Sequence, residues 1–108
     1  MEQHETVALT IQAFATITPA VNQFNKTAAP KDRLHATVTA HIAGQTGHYF
    51  ELSISVYQGE GLEYINRPDC GIPFSTQVRK DESFDSGMKK ITKLFEQITR
   101  ADIKQQEK

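Results

Sequence analysis

The stretch LHATVTAHIAGQTGHYFELSISV, residues 34–56, decides the fold. From Leu34 onward, Leu34, Ala36, Val38, Ala40 and Ile42 alternate with His35, Thr37, Thr39 and His41. The second run sets Phe50, Leu52, Ile54 and Val56 against Glu51, Ser53, Ser55 and Tyr57. Strict period two with β-branched residues on both arms predicts two half-buried strands. Paired residues share a face, so the register sets Ile42 opposite Phe50 and Ala40 opposite Leu52. Gln45-Thr46-Gly47 is left as a three-residue loop. Such loops end on a left-handed residue, which glycine takes without a Cβ clash.

Working forward, Gly59-Glu60-Gly61 reads as a second such loop. A third strand is expected near Leu62 to Asn66, with Tyr64 beside Val56 and Glu63 beside Tyr57. The sheet then has one aliphatic face and one carrying Thr, Ser, His, Glu and Tyr, as antiparallel sheets with one wet side do. A long connection follows, residues 67–82, with Pro68, Cys70-Gly71 and Pro73. Within it Phe74 to Arg79 alternates weakly, enough for a short fourth strand at an edge. Connections of this length are uncommon unless they carry function or extra structure.

Working backward, Val7, Ile11, Phe14, Thr18 and Val21 form one helical stripe, with Ile17 and Phe24 at its edge. Val7, Leu9, Ile11, Ala13, Ala15 and Ile17 also alternate as a strand would. Alanine content and the continuing stripe favour one helix, His4 to Lys26, kinked at Pro19. The alternative is a strand to Ile17 and then a short helix. Thr27 to Asp32 reads as a linker turn. At the other end Asp81, Glu82, Ser83 and Asp85 gather where caps and acids suit a helix start. Phe84, Met88, Ile91, Phe95 and Ile98 then step by four and three, with Leu94 and Ala101 widening the stripe. Lys89, Lys93, Arg100 and Lys104 lie opposite, with Glu96 and Asp102 interspersed.

These elements predict one α+β domain over residues 1–108, with ends frayed at about 1–4 and 105–108. It is a two-layer sandwich of an N-terminal helix, an antiparallel meander and a C-terminal helix. The order is α-β-β-β-α, with a fourth strand if Phe74 to Arg79 pairs. The 108 residues suffice for one core without metal or disulfide. Net charge is −1, which gives no global attraction to nucleic acid or anionic membrane. The lone Cys70 suits a reducing compartment. The polar start Met1–Glu5 is unlike a secretory signal, and no apolar run reaches membrane-span length. A cytoplasmic protein away from the membrane is expected.

Catalytic chemistry finds little support. His35 and His41 share a strand face but stand about 20 Å apart at strand rise, too far to share an ion. His41 facing Glu51 is too few ligands for zinc, so neither metal nor other cofactor is expected. Cys70 lacks a flanking signature for a nucleophile and its base. Glu60, Glu63 and Asp69 scatter over turn, strand and loop, and Gly59-Glu60-Gly61 lacks the third glycine and following helix of a dinucleotide site.

At Lys89-Lys90-Ile91-Thr92-Lys93 the chain resembles the double-stranded-RNA-binding domain, whose second helix opens with a KKxAK motif. Gly47-His48 and the alternation of Phe50, Leu52, Ile54 and Val56 resemble that family's first loop and strand. Thr92 stands at the motif's alanine, and Glu96 and Gln97 follow where small residues are usual. The resemblance implies a helix, three antiparallel strands and a helix, and nucleic-acid contact through Lys89, Lys90, Lys93 and Arg100.

Two functions are expected from these readings. One is non-enzymatic docking on a protein partner, as inhibitor, adaptor or chaperone, among them the inhibitors that mobile elements carry. Its surface would hold His41, Glu51, Tyr57, Glu63, Arg67 and Asp69. The other is nucleic-acid binding on the basic helix face. Homodimerisation through a sheet edge or the open sheet face is compatible with either.

Overall fold

The computed structural model describes residues 2–42, 50–59, 71–79 and 81–106. Helix α1 spans Gln3–Asn25, strand β1 Leu34–Ile42, β2 Phe50–Gln58, β3 Gly71–Val78 and helix α2 Phe84–Gln106. The sheet is antiparallel in the order β1-β2-β3, and both helices pack on its aliphatic face. The expected α-β-β-β-α order is present.

The hairpin has the predicted register, with Ile42 opposite Phe50, Ala40 opposite Leu52 and Val38 opposite Ile54. Its loop lies outside the described residues. The third strand differs from expectation. Val56 has Ala36 on one side and Phe74 on the other, so the place assigned to Tyr64 is filled by Phe74. Leu62 to Asn66 themselves lie outside the described residues. Phe74, Thr76 and Val78 match Val56, Ile54 and Leu52 in face, which lets this weakly alternating run close the core. Much of the stretch read as a connection is therefore strand. A register irregularity falls between Val56 and Gln58, beside Tyr57. Gly59 follows at φ 155°, a conformation that a side chain would strain, and its N–H donates to the Arg33 carbonyl at 2.9 Å.

Helix α1 is one continuous element, with Pro19 on its exposed side. The amide bond that proline forgoes therefore faces solvent rather than core. At its start the Glu2 N–H donates to Glu5 Oε1 at 2.9 Å, so the first turn is pinned rather than frayed. The core stripe differs from the expected one. Thr6, Leu9, Ala13, Ile17, Ala20 and Phe24 are buried, whereas Val7, Ile11 and Phe14 are 49%, 62% and 53% exposed. The two stripes lie roughly 120° apart on the helix. Ala13 and Ala20 explain the choice, because small residues let the backbone approach the sheet and α2 closely. Gly87 of α2 does the same from the other side, facing the Leu9 side chain.

Helix α2 follows its predicted stripe, with Ile91, Leu94 and Ile98 buried and Phe84, Met88, Phe95 and Ala101 packed against them. Asp102, expected on the solvated face, is buried, because it stands four residues beyond Ile98. Ser83 caps the start, its Oγ accepting from the Ser86 N–H at 3.1 Å. Gln105, expected to fray, donates from Nε2 to the Phe24 carbonyl at 3.1 Å and to Thr27 Oγ1 at 3.0 Å. It thereby satisfies an orphan carbonyl at the end of α1. No helix among the described residues is long and apolar enough to cross a membrane.

Candidate docking surface

The face of the sheet opposite the helices carries the side chains that alternation turns away from the core. Its rows follow from the register. His35 stands opposite Tyr57, Thr37 opposite Ser55 and then Ser75, and Thr39 opposite Ser53 and then Gln77. Thr39, Ser75 and Gln77 are exposed, and His35, Thr37, Ser53, Ser55 and Tyr57 are half-buried. The face carries no Asp, Glu, Lys or Arg among these residues. Among the described residues no element covers this face. His35 Nε2 is 2.9 Å from the Gly59 carbonyl, so when it carries the hydrogen it donates there and is held beside Tyr57.

The residues named from sequence divide in three ways. Tyr57 lies on the open face as expected. His41 and Glu51 are opposite each other at the far end of the hairpin, as the register required. Glu63, Arg67 and Asp69 lie outside the described residues. Ser75 and Gln77 belong to the face but were missed, because the third strand was sought one segment too early. The pattern Phe74-x-Thr76-x-Val78, aligned to β2, would have found them.

A second surface runs along the outer side of α2. A groove of about 550 Å³ there is lined by Met88, Lys89, Thr92, Lys93, Glu96, Gln97 and Arg100. Lys89, Lys93 and Arg100 are exposed along it, with Glu96 among them. The Thr92 hydroxyl donates back to the Met88 carbonyl at 3.0 Å and so is turned to its own helix.

Lys90 takes no part in this groove. Its Nζ donates to Glu82 Oε1 at 2.6 Å and to the Gln77 carbonyl at 2.8 Å, which ties α2 to the outer edge of β3. The Lys90 ammonium holds the Glu82 carboxyl below its ordinary value, against the opposing effect of burial, with help from the Arg79 N–H and the Ser86 hydroxyl. A depressed carboxylate stabilises the fold fully above its unfolded value of about 4.5 and ceases to do so as pH falls through the lower folded value. Glu82→Gln should therefore be less stable than the parent at pH 7, and the two should converge in acid. Urea midpoints across pH check this, and parallel curves down to low pH would show that the ion pair contributes nothing.

Among the described residues no group of three His, Cys, Asp or Glu is placed to hold a metal ion. Comparison with protein-family models, with curated proteins and with solved structures finds no match to this chain.

Proposed function

We propose that the chain is a non-catalytic docking domain that binds a protein partner through the open face of its sheet, as an inhibitor, adaptor or chaperone would. The observation that carries this reading is the uncovered polar face with Thr37, Ser55 and Ser75 across its middle and Tyr57 at one end. A broad face of three strands suits a macromolecule, whereas a small substrate needs enclosure. Hydroxyl groups offer adaptable hydrogen bonds, and a tyrosine gives large contact area at small entropic cost.

The cationic groove on α2 favours a second reading, nucleic-acid binding through Lys89, Lys93 and Arg100, with Lys90 engaged by Glu82. One experiment separates the two. The full chain is used to capture its partner from lysate with and without nuclease, and the partner is then titrated against Tyr57→Glu and Ser55→Arg. A protein partner should survive nuclease, and each variant should weaken it tenfold or more, about 1.4 kcal/mol. Undiminished binding by both variants, with circular dichroism unchanged, ends the sheet-face reading. Capture that vanishes with nuclease and falls steeply with salt moves the site to the groove.

A further inference from the structure

The two edges of the sheet are built differently, and the difference points to an occupant for one of them. Along β1 the backbone directions are fixed at its start. The Arg33 carbonyl accepts from Gly59 on the β2 side, whereas both backbone groups of Leu34 turn outward. There Asn25 of α1 meets them as a strand neighbour would, its Nδ2 donating to the Leu34 carbonyl at 2.9 Å and its Oδ1 accepting the Leu34 N–H at 2.7 Å. Alternation then turns the N–H and C=O of Ala36, Val38 and Ala40 to the same open side. Among the described residues no strand lies beyond β1.

Sheet edges are ordinarily guarded by charge, proline or a bulge. On β3 the Gln77 carbonyl is occupied by Lys90, and Pro73 withholds an N–H. Strand β1 has no guard of these kinds. Leu34 to Ile42 contains no Asp, Glu, Lys, Arg or Pro. At its start it meets the end of a stripe of α1 that is exposed at Val7, Ile11, Phe14 and Thr18. Asn25, Val21, Thr18, Phe14, Ile11 and Val7 recur at intervals of four and three, and the Asn25 end sits over the outer edge of β1. Residues 6–25 carry no charged side chain. Ala36 and Ala40, on the aliphatic face of β1, are exposed as well. The outer edge of β1 is thus flanked by uncovered apolar surface.

We infer that this edge pairs with β1 of a second copy, antiparallel across a two-fold axis at Val38. Isologous contacts need a surface complementary to itself, and this one meets the requirement. Val38 exchanges both backbone bonds with its counterpart, and Ala36 does so with Ala40 of the other copy. The facing side chains are small enough to leave space for Ile11 and Phe14 from both helices. No like charges oppose each other. Asn25 holds the Leu34 end, so the free edge runs from Ala36 to Ala40. That is about 17 Å at strand rise, and with two layers about 20 Å high it covers on the order of 350 Å² per copy, the size of a small, reversible interface. The dimer is independent of what the open face binds.

The test is the mass of the full chain in solution by light scattering and sedimentation. Twice the 12.1 kDa chain mass is expected. Ile11→Glu should return it to one chain mass with unchanged circular dichroism, because Ile11 is 62% exposed. The register is tested separately in Cys70→Ser chains. A two-fold at Val38 sets Thr37 opposite Thr39 of the other copy in a narrow pair within disulfide reach. Mixing Thr37→Cys with Thr39→Cys chains under mild oxidant should therefore give covalent dimers that neither variant gives alone. A single-chain mass throughout the micromolar range overturns the inference. So does a dimer indifferent to Ile11→Glu, or one that the mixed cysteines fail to link.

Discussion

Ile54→Ala should lower the free energy of unfolding by about 3–4 kcal/mol, the largest loss expected from any single truncation in this chain. Ile54 sits at the middle of the central strand and is fully buried. Val38 stands on one side of it and Thr76 on the other, and the helix layer closes over the top. The space left behind is thus bounded by paired strands on two sides and by packed helices above, which limits collapse into it. Cavity costs are highest where the surroundings relax least. Domains of this size are stable by only about 5–15 kcal/mol, so the variant should unfold at markedly lower urea with an unchanged slope. A loss below about 1 kcal/mol would mean that the sheet centre is not where the core is tightest.

The second large effect is expected from filling space rather than emptying it. Gly87 is buried where α2 crosses α1 and β3. A Cβ there would stand 2.5 Å from Leu9 Cδ1, 3.2 Å from Leu9 Cδ2 and 3.3 Å from Val78 Cγ1. Alanine at this position gains about 1 kcal/mol of helix propensity, which offsets much of the crowding. Leucine has no such compensation for its outer carbons, and Gly87→Leu should cost about 3 kcal/mol by prising the helices apart. Because the clash is chiefly with one side chain, Leu9→Ala in the same chain should recover part of the loss. The double variant should then be more stable than the sum of the two single losses implies, by thermal or urea unfolding. Strict additivity would show that the two positions do not touch.

Much of the architecture was legible because period two survives the burial of only one face. The hairpin register followed from alternation alone, and so did α2 from its capping residues and stripe. The third strand was misplaced because Leu62 to Asn66 and Phe74 to Val78 both alternate. Choosing between them needs the match with β2 across space, which local pattern does not contain. Helix α1 was recognised but its faces were exchanged. It carries two apolar stripes, and bulk favoured Val7, Ile11 and Phe14, whereas close packing selected the one with Ala13 and Ala20. A charge-free helix from Thr6 to Asn25 was the sign that both sides deserved counting. Of the candidate surface, Tyr57 and the hydroxyl rows on β1 and β2 were legible from alternation. Ser75 and Gln77 came only with the correct third strand. Asp102 was misjudged for a simpler reason, since its chemistry suggested solvent while its spacing from Ile98 placed it inside.

The ammonium of Lys90 on the Gln77 carbonyl has a meaning for assembly beyond the stability of one chain. A sheet with two bare edges can add copies without limit, and identical units joined head to tail at such edges grow into fibres. One stopped edge changes that arithmetic. Growth can then begin only at β1, and an antiparallel match of β1 with itself uses both open edges at once. The proposed dimer would then be a finite particle with a guarded strand at each end, and the sequence that leaves one edge bare would also set where addition ends.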